Sequence, residues 1–458
     1  MRLARGLDAP ATVDACMTRR NVKIMPDAPT LARVESLSHD GRGVARVNGK
    51  TVFIEGALPG EQVLFKYVTQ RRNFDEGDLQ SVVEASPLRV APRCPHAAVC
   101  GGCTLQHMEG TAQILSKQKI LLDALTHIGG VTPESVMPPL TGPLWGYRRR
   151  ARLGAKFVIK KEAMLVGFRE KRSNLLAELS RCDVLHPAVG TKIEALRELL
   201  RRLEAYNRIP QIEVAVADNA TALVFRNLVP LSETDKSTLA AFGEELGFYI
   251  YLQPGGIDSV SLLWPAHGEL LYRMPAFNLE MEFRPNDFIQ VNGEMNLRMV
   301  SRAMEWLAPE PHSRVLDLFC GLGNFTLPIA RRAAEAVGVE GDLRLVRAAQ
   351  DNARRNGIAN TTFHVADLAG DCGDAVWARG QKYDQVLLDP PRAGAAGLIP
   401  LLPRLAAARI VYVSCDPGTL ARDAGELVNR HGYRLRAAGV MDMFPHTTHV
   451  ESIAVFER

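Results

Sequence analysis

Short hydrophobic runs alternate with helical stretches throughout the last third of the chain. Runs rich in Val, Ile and Leu are typical of buried parallel strands, and the helical stretches would connect one strand to the next. The pattern predicts a doubly wound α/β domain over residues 286–458. Its five parallel strands are predicted at Arg314–Phe319, Ala336–Glu340, Thr361–Ala366, Tyr383–Leu388 and Arg409–Ser414. Tyr433–Phe444 and Val450–Glu457 are joined by too few residues for a helical crossover, so the sheet should end in an antiparallel pair.

The N-terminal part of the chain has a different pattern, of short alternating runs separated by turns. Residues 1–25 lack periodicity and are interpreted as a loose extension. Residues 26–86 should form a small OB-like β-barrel, because five short strands follow one another there with turn pairs such as Asn48-Gly49 between them. The five predicted strands are Leu31–Leu37, Gly43–Val47, Lys50–Glu55, Gln62–Thr69 and Asp78–Ala85. Aromatic and basic residues of this barrel either form an RNA-binding face or, for the aromatics, fill the interior; they are Phe65, Tyr67, Arg71, Arg72 and Phe74.

Residues 87–285 mix helical and strand patterns and are interpreted as a central α+β domain. The predicted elements are helices at Gly110–Thr126 and Pro187–Tyr206 and a hairpin of Gln211–Ala217 with Thr221–Asn227. The domain also contains a basic segment, residues 145–174, whose net charge is +8 although the whole chain carries only +4. Such a cluster contacts nucleic-acid phosphates if it lies on one face, and is an ordinary solvated surface otherwise.

The overall composition, 47% hydrophobic and 23% charged, is that of a globular protein. No run of residues is apolar enough for a secretory signal or a membrane span, which predicts a cytoplasmic protein without membrane contact. We expect it to be monomeric. Eight cysteines in such a chain favour metal binding or catalysis over a disulfide framework.

A glycine-containing loop, Asp317 to Phe325, follows the first predicted strand, where open α/β sheets bind nucleotides. Thr326 stands where a dinucleotide fingerprint has its third glycine, which disfavours NAD. Acidic residues end the next three strands: Glu340, Asp367 and Asp389. Carboxylates along one sheet edge suit a cofactor with a sugar, a base and a sulfonium group but no phosphate, which indicates S-adenosylmethionine. The alternative is that each acid caps its following helix.

Cys415 lies at the junction between a predicted strand and a predicted helix. With Asp416 as N-cap and Pro417 as the first helical residue, the free amides of the helix should favour the Cys415 thiolate. This position is suited to a nucleophile, whereas the alternative is a small buried hydrophobic residue. Arg392, in the sequence Asp389-Pro390-Pro391-Arg392, replaces the aromatic residue of enzymes that methylate exocyclic amines, so the methyl acceptor should be a ring carbon.

Four further cysteines form a candidate metal site. Cys94, Cys100 and Cys103 lie close together in a loop rich in Pro and Gly, and Cys182 lies far downstream. Their spacing allows either zinc or an iron–sulfur cluster, and incidental free cysteines are the alternative.

Five motifs of the C-terminal half resemble those of the RNA uracil-C5 methyltransferases. They are Phe288-Ile289-Gln290-Val291-Asn292, Asp317 to Phe325, Asp389 to Arg392, Ser414 to Pro417, and His446 to Ser452. The resemblance implies a SAM-dependent methyltransferase sheet, a barrel similar to a TRAM domain, and a cysteine set similar to that of the member acting on 23S ribosomal RNA. It thereby selects a [4Fe–4S] cluster for the four cysteines, to which we assign a structural role.

The same resemblance implies roles for individual residues. Cys415 would add to uracil C6, and Glu451 would remove the C5 proton as general base. The residues implied to bind S-adenosylmethionine are Gln290, Phe319, Asn324, Glu340, Asp367 and Asp389. His446 and His449 are interpreted as loop-packing or RNA-contacting residues rather than metal ligands. Three other functions remain open at this point: a tRNA uracil-C5 methyltransferase, a non-catalytic RNA-binding assembly factor, and a redox or radical enzyme.

Overall fold

The computed structural model describes residues 28–458. The predicted extension at residues 1–25, with Cys16, lies outside the described residues. The chain divides into two compact units, one formed by Gly43–Ala85 with the described part of Met1–Ser36, and the other by Leu37–Arg42 with Ser86–Arg458. Among residues 28–458, no helix is both long and apolar enough to cross a lipid bilayer.

The smaller unit is a closed five-stranded barrel, which confirms the barrel prediction. Its strands are β1 (Thr30–Leu37), β2 (Gly43–Val47), β3 (Lys50–Glu55), β4 (Gln62–Gln70) and β5 (Phe74–Glu84), in the order β1-β2-β3-β5-β4. Strand β5 begins four residues before its predicted start. Asn48 and Gly49 both have positive φ, as the tight β2–β3 turn requires. The Phe65 side chain is fully buried in the barrel core, so it cannot belong to an RNA-binding face.

The larger unit contains an eight-stranded sheet, in which the predicted strands are confirmed with ends shifted by a few residues. The strands are β6 (Ser135–Val136), β15 (Arg314–Leu318), β16 (Glu335–Glu340), β17 (Thr361–Val365), β18 (Gln385–Leu388), β19 (Arg409–Ser414), β20 (Arg434–Met441) and β21 (Glu451–Glu457). Their order is β17-β16-β15-β18-β19-β21-β20-β6. Strand β21 runs antiparallel to both β19 and β20, as predicted.

Both faces of this sheet are covered, because successive residues of its central strands enter different hydrophobic clusters. Ile410 and Tyr412 pack on one face and Val411 and Val413 on the other. The described helices of the chain are α1 (Gly110–Ala124), α2 (Pro187–Gly190), α3 (Ile193–Arg202), α4 (Glu233–Leu246), α5 (Gly293–Leu307), α6 (Thr326–Ala330), α7 (Leu343–Arg355) and α8 (Pro417–His431). Helix α1 packs on the same face as α8, and α5 packs on the opposite face. Burial on both faces is the reason that the strands are continuous hydrophobic runs.

A second sheet accounts for most of the central region. Its strands are β7 (Arg150–Val158), β8 (Ala163–Gly167), β9 (Gln211–Val216), β10 (Thr221–Arg226), β11 (Phe248–Gln253) and β12 (Ser261–Trp264). The predicted hairpin is confirmed as the antiparallel pair β9–β10. The predicted helix at 187–206 is divided into α2 and α3, and a further hairpin is formed by β13 (Leu270–Met274) and β14 (Leu279–Phe283).

The segment that contains α1 and β6 belongs to the methyltransferase-like sheet, although it precedes that sheet by more than 150 residues. Ile114 and Leu121 of α1 lie in its core, and β6 pairs with β20 at its edge. Periodicity cannot reveal this arrangement, because an amphipathic helix does not specify which surface it will cover. The boundary at 285/286 therefore remains a prediction.

Candidate active site

The strand pairing places Cys415 beside Glu451. Ser414, the last residue of β19, is paired with Ser452 of β21, and the Ser452 hydroxyl donates to the Ser414 carbonyl at 3.1 Å. Continuing this antiparallel register by one residue brings Cys415 opposite Glu451. The two residues predicted to carry the chemistry, 36 positions apart in the sequence, are therefore neighbours at the carboxyl edge of β19.

Helix α8 begins as predicted, but its amides do not serve the sulfur atom. Asp416 is the N-cap and Pro417 the first helical residue. The Asp416 Oδ1 accepts hydrogen bonds from the amides of Gly418 at 2.9 Å and Thr419 at 3.0 Å. Burial, followed by the charges of Glu451 and Asp389, raises the pKa of the Cys415 thiol to about 11. The predicted stabilisation of the thiolate by the helix is therefore wrong, because the cap's own carboxylate occupies the amides.

The surroundings of Cys415 contain two acids and one cation. Burial, followed by the charge of Asp389, raises the pKa of Glu451 to about 8. Burial raises the pKa of Asp389 to about 7. The Arg392 guanidinium opposes these effects, since its charge lowers the pKa of both Cys415 and Glu451, and its Nη2 lies 3.0 Å from His449 Nδ1. Groups with pKa values near neutrality suit proton transfer.

Asp317 is a site residue that the sequence analysis did not single out. It lies within β15, is completely buried, and accepts a 2.5 Å hydrogen bond from the Thr326 hydroxyl through Oδ2. Its Oδ1 is buried without a partner among the described residues. Burial raises the pKa of Asp317 to about 8, and the charges of Asp389 and Glu340 add to the rise. The signal in the sequence that could have identified Asp317 is the presence of an ionisable residue within a hydrophobic strand.

The loop after β15 has a conformation that exposes its backbone. Phe319, Gly321 and Gly323 have φ values of 66°, 53° and 90°. Nothing lies within 4 Å of the position that a Cβ on Gly321 would occupy, so a ligand can approach the main chain there. The Gly321 amide donates to Glu340 Oε2 at 3.1 Å, which joins the loop to the end of β16. A positive φ at a non-glycine residue such as Phe319 is uncommon and is typical of functional sites.

Two of the predicted cofactor residues, Gln290 and Asn324, lie near Tyr272 and Asn296. Asn324 accepts hydrogen bonds through Oδ1 from Tyr272 at 3.3 Å and from Asn296 at 3.0 Å. Gln290 lines a cavity together with Tyr272 and Asn296, two polar residues that the sequence analysis missed. Nothing in the periodicity marked Tyr272, which reaches the site from β13.

Glu340 and Asp367 accept hydrogen bonds from nearby backbone amides, which partly agrees with the alternative that these acids cap the helices that follow them. The second oxygen of Glu340 accepts the Gly341 and Asp342 amides at 2.7 and 3.1 Å, but the N-cap of α7 is Asp342. Asp367 is exposed and accepts the Ala369 amide at 3.0 Å. Each carboxylate thus holds its own loop while lying at the edge of the sheet predicted to receive the cofactor.

The four clustered cysteines come together, as the metal prediction requires. Cys94, Cys100, Cys103 and Cys182 line one cavity, whose other walls include Phe168 and Leu179. Burial raises the pKa of the Cys103 thiol to about 12. Within residues 28–458, no group of three or more His, Cys, Asp or Glu residues has an arrangement that could hold a metal ion as it stands. A bound metal or cluster therefore remains a prediction.

Several residues of the basic segment are engaged in contacts within the protein. Arg149 forms an ion pair with Asp218, and the Arg150 guanidinium donates to the carbonyl of Pro285. Arg152 pairs with Glu213 at 3.1 Å, yet its side chain remains 70% exposed. The segment is thus divided between internal contacts and surface charge, and only the exposed part is available to phosphates.

Comparisons with known proteins agree with this geometry. Residues 273–458 match the family described as tRNA (Uracil-5-)-methyltransferase, and residues 31–66 match the TRAM domain. A solved structure, the Pyrococcus abyssi tRNA (uracil-54, C5)-methyltransferase in complex with S-adenosyl-L-homocysteine, covers 93% of this chain and 100% of its own with a TM-score of 0.72. At 24% identity, this likeness establishes the fold.

Two curated relatives are similar over almost their entire length. The 23S rRNA (uracil(1939)-C(5))-methyltransferase RlmD of Alcanivorax borkumensis is 54% identical over 444 residues, which cover 96% of this chain and 99% of that protein. The protein of the same name from Nitrosococcus oceani is 55% identical over 438 residues, covering 95% and 98%. Identity at this level over both full chains shows that the chain belongs to the family of 23S rRNA (uracil-C5)-methyltransferases.

Proposed function

We propose that the protein transfers a methyl group from S-adenosylmethionine to C5 of uridine 1939 in 23S ribosomal RNA, giving 5-methyluridine. The observation that carries the proposal is the β19–β21 register, which brings Cys415 next to Glu451. A nucleophile and a base on one edge can act on adjacent carbons of a single pyrimidine ring. The names of the relatives support the choice of RNA and of position.

Cys415 opens the reaction as a nucleophile. After its proton leaves to solvent, the sulfur forms a bond to C6 of the uracil, and the C5–C6 π electrons move into an enolate. The raised pKa of Cys415 means that the thiolate is scarce in the free protein, so the adjacent positive charge of Arg392 favours this step. The enolate makes C5 nucleophilic, so C5 would take the methyl group from bound S-adenosylmethionine and leave the neutral thioether S-adenosylhomocysteine.

Glu451 closes the reaction as a general base. It accepts the C5 proton, the electrons of that C–H bond restore the C5–C6 double bond, and the sulfur–C6 bond breaks to return Cys415 as thiolate. The raised pKa of Glu451 makes its carboxylate a stronger base than an exposed glutamate. Asp389, which is half-buried and whose charge acts on both groups, would face the uracil.

The residues at the sheet edge fit S-adenosylmethionine, which when bound supplies an electrophilic methyl group. Glu340 and Asp367 would hold the ribose and the base, since they lie at the ends of adjacent strands β16 and β17. Gln290, Asn324 and the main chain at Phe319 would hold the rest of the cofactor. The backbone exposed at Gly321 and the buried, unpartnered Oδ1 of Asp317 support a ligand in this place.

The test uses an unmodified 23S rRNA transcript, labelled S-adenosylmethionine and mass spectrometry of nuclease fragments. We expect one methyl group, on uridine 1939, with loss of activity in Cys415→Ala and full activity in Cys372→Ala, a buried cysteine to which no role is assigned. Methylation of tRNA but not of 23S rRNA would show that tRNA, and not 23S rRNA, is the substrate. Full activity of Cys415→Ala would overturn the mechanism.

We further propose that Cys94, Cys100, Cys103 and Cys182 hold a [4Fe–4S] cluster with a structural role. The four thiols line a single cavity, which supports an all-thiolate site, although polar residues such as Arg148 and Asp183 also line it. Zinc would require the sulfurs to converge on one ion about 2.3 Å away. Metal analysis of anaerobically purified protein should find four irons per chain and no zinc, and Cys103→Ser should lower the iron content. One zinc per chain would contradict the proposal.

A further inference from the structure

Lys117 is a buried lysine for which the proposed mechanism has no role. It lies on α1, and its ammonium group donates to Asp442 Oδ1 at 2.8 Å and to the Phe444 carbonyl at 2.9 Å. The side chains of Lys117 and Asp442 are each only 2% exposed. Lysine is almost never buried without a partner, and a buried ion pair is often no more stable than an apolar pair of the same size. The pair therefore calls for an explanation other than stability.

Both partners of Lys117 belong to the segment 442–450, which joins β20 to β21 and leads directly into Glu451. This segment contains no helix or strand, so contacts from elsewhere must fix its path. They come from residues 104–147. The Gln113 side chain accepts from the His446 amide at 2.8 Å, the Tyr147 hydroxyl donates to the Pro445 carbonyl at 3.0 Å, and the Thr104 and Leu105 amides donate to the His446 carbonyl at 2.9 and 3.0 Å.

Lys117 also acts on Glu451 through its charge. Burial and the charge of Asp389 disfavour the Glu451 carboxylate, whereas Arg392 and Lys117 favour it. Other ionisable groups near this region include Cys415, Asp442, Tyr147, Arg148, His446 and His449. Arg392 approaches from the loop after β18, while Lys117 approaches from α1, so the two cations lie on different elements.

We propose that Lys117 is a positioning residue for the second half of the reaction: its ion pair with Asp442 holds segment 442–450 so that the Glu451 carboxylate reaches the C5 proton. This inference rests on the proposed function. It assigns Lys117 no contact with the RNA or with the methyl donor. Addition of Cys415 and methyl transfer precede proton removal, so they do not depend on the pair.

The test is the double variant Lys117→Met/Asp442→Asn, which removes both charges at once and leaves no unpaired buried ion. Rapid-quench reactions with the 23S rRNA transcript measure methyl transfer in the first turnover, and denaturing gels measure the covalent protein–RNA adduct. We expect methyl transfer within twofold of wild type, adduct resolution at least tenfold slower, and accumulation of adduct. The pH at which resolution is half-maximal should also rise, because the Lys117 charge lowers the pKa of Glu451, whereas Asp442 is not among the groups that shift it.

The matched control is Lys119→Met, on the same helix but with a 71% exposed side chain, which should behave as wild type. Equal losses of methyl transfer and resolution in the double variant would mean a general structural role and overturn the inference, as would unchanged resolution. If the double variant does not fold, Asp442→Asn replaces it, because this change removes the ion pair but keeps an oxygen that accepts from the Lys117 ammonium group.

Hydrogen–deuterium exchange of the RNA-free protein provides a readout independent of activity. In the variant, amides of 442–450 should exchange at least tenfold faster than in wild type, with β19 unchanged. Unchanged exchange in 442–450 would overturn the inference. Failure of the wild-type protein to methylate the transcript would instead overturn the proposed function, and the exchange experiment would still decide whether Lys117 holds the segment.

Discussion

Cys415 lies among groups that change its charge in opposite directions. Burial and the carboxyl groups of Glu451 and Asp389 favour the neutral thiol, whereas Arg392 favours the thiolate. The Asp416 side chain takes the helix amides that would otherwise act on the sulfur. A nucleophile of this kind is protected while the site is empty, because the thiolate is the reactive form of cysteine.

The rate of methylation should rise with pH between about 6 and 9. The pKa of Glu451 is raised to about 8 and that of Cys415 to about 11, so both groups are largely protonated at pH 6 although both must lose a proton to act. The measurement is the single-turnover rate at which free methylated RNA is released, with saturating RNA and S-adenosylmethionine, because formation of free product requires both groups to lose a proton. A rate that is flat or falls over this range would show that neither deprotonation limits the reaction.

Replacement of Glu451 by Gln should trap the reaction after methyl transfer. The amide has nearly the same shape but cannot accept the C5 proton, so resolution of the adduct should slow by about 10²- to 10⁴-fold. Denaturing gels with labelled RNA would detect the accumulated protein–RNA adduct. The control is Glu457→Gln, at the other end of β21, which should form no lasting adduct. Failure to recover an adduct from Glu451→Gln would remove Glu451 from its assigned role.

At the scale of elements, the site is formed where β19, β21 and α8 meet. Pairing of Ser414 with Ser452 sets the position of Cys415 relative to Glu451, and a shift of one residue would point every side chain of β21 to the opposite face. The Asp416 cap fixes the point at which the chain turns from β19 into α8. Local stability of α8 and reactivity of Cys415 are thus linked through one carboxylate.

Asp416→Ala should separate these two effects. Loss of the N-cap should lower the free energy of unfolding by about 1 kcal/mol. Removal of the carboxylate also frees the Gly418 and Thr419 amides, so Cys415 should be alkylated by iodoacetamide at lower pH than in wild type. Urea denaturation measures the first effect, and peptide mass spectrometry of alkylated protein measures the second.

The control for this experiment is Asp342→Ala, which removes the corresponding cap of α7. It should cost a similar free energy of unfolding without changing alkylation of Cys415. Identical alkylation curves for Asp416→Ala and wild type would show that the cap does not influence the sulfur.

At the scale of the whole molecule, the larger unit removes several carboxyl groups from water near the sheet edge at which we propose that the cofactor binds. Asp317, Asp389 and Glu451 have pKa values raised to about 8, 7 and 8, and burial is the main cause for each. The fold therefore keeps these three acids protonated at pH values at which they would be ionised in water. A bound sulfonium cation would compensate for their charge, which ties stability to the presence of the methyl donor.

These raised pKa values predict that the ligand-free protein loses stability as pH rises from about 5 to 8. In the folded state the three groups hold their protons above the pH at which they lose them in the unfolded chain, so the free energy of unfolding falls as pH rises through this range. Asp317→Asn, which cannot ionise, should show a shallower fall in urea denaturation series. The exposed control Asp351→Asn should keep the wild-type slope. Equal slopes for wild type and Asp317→Asn would contradict the prediction.

Most of the secondary structure could be predicted from local pattern. Seven strands of the eight-stranded sheet can be predicted with ends shifted by a few residues because burial on both faces leaves hydrophobic runs of strand length, whereas the two-residue strand β6 was missed. The split of the predicted helix at 187–206 and the early start of β5 at Phe74 were missed. The helix break follows Gly190, a turn signal that the helical periodicity around it outweighed, whereas the start of β5 is a boundary that strand pairing decides.

The sequence by itself determined the elements, the residue types at the ends of the strands and the family motifs, because these depend on neighbouring residues and on composition. Only the tertiary structure decided that residues 104–147, which include α1, hold the segment before Glu451 through hydrogen bonds. It also decided that Asp317 faces the site and that the Asp416 carboxylate, rather than Cys415, accepts the helix amides. Those outcomes depend on which distant surfaces become buried together. Desolvation and charge act through space, so a reading along the chain cannot supply them.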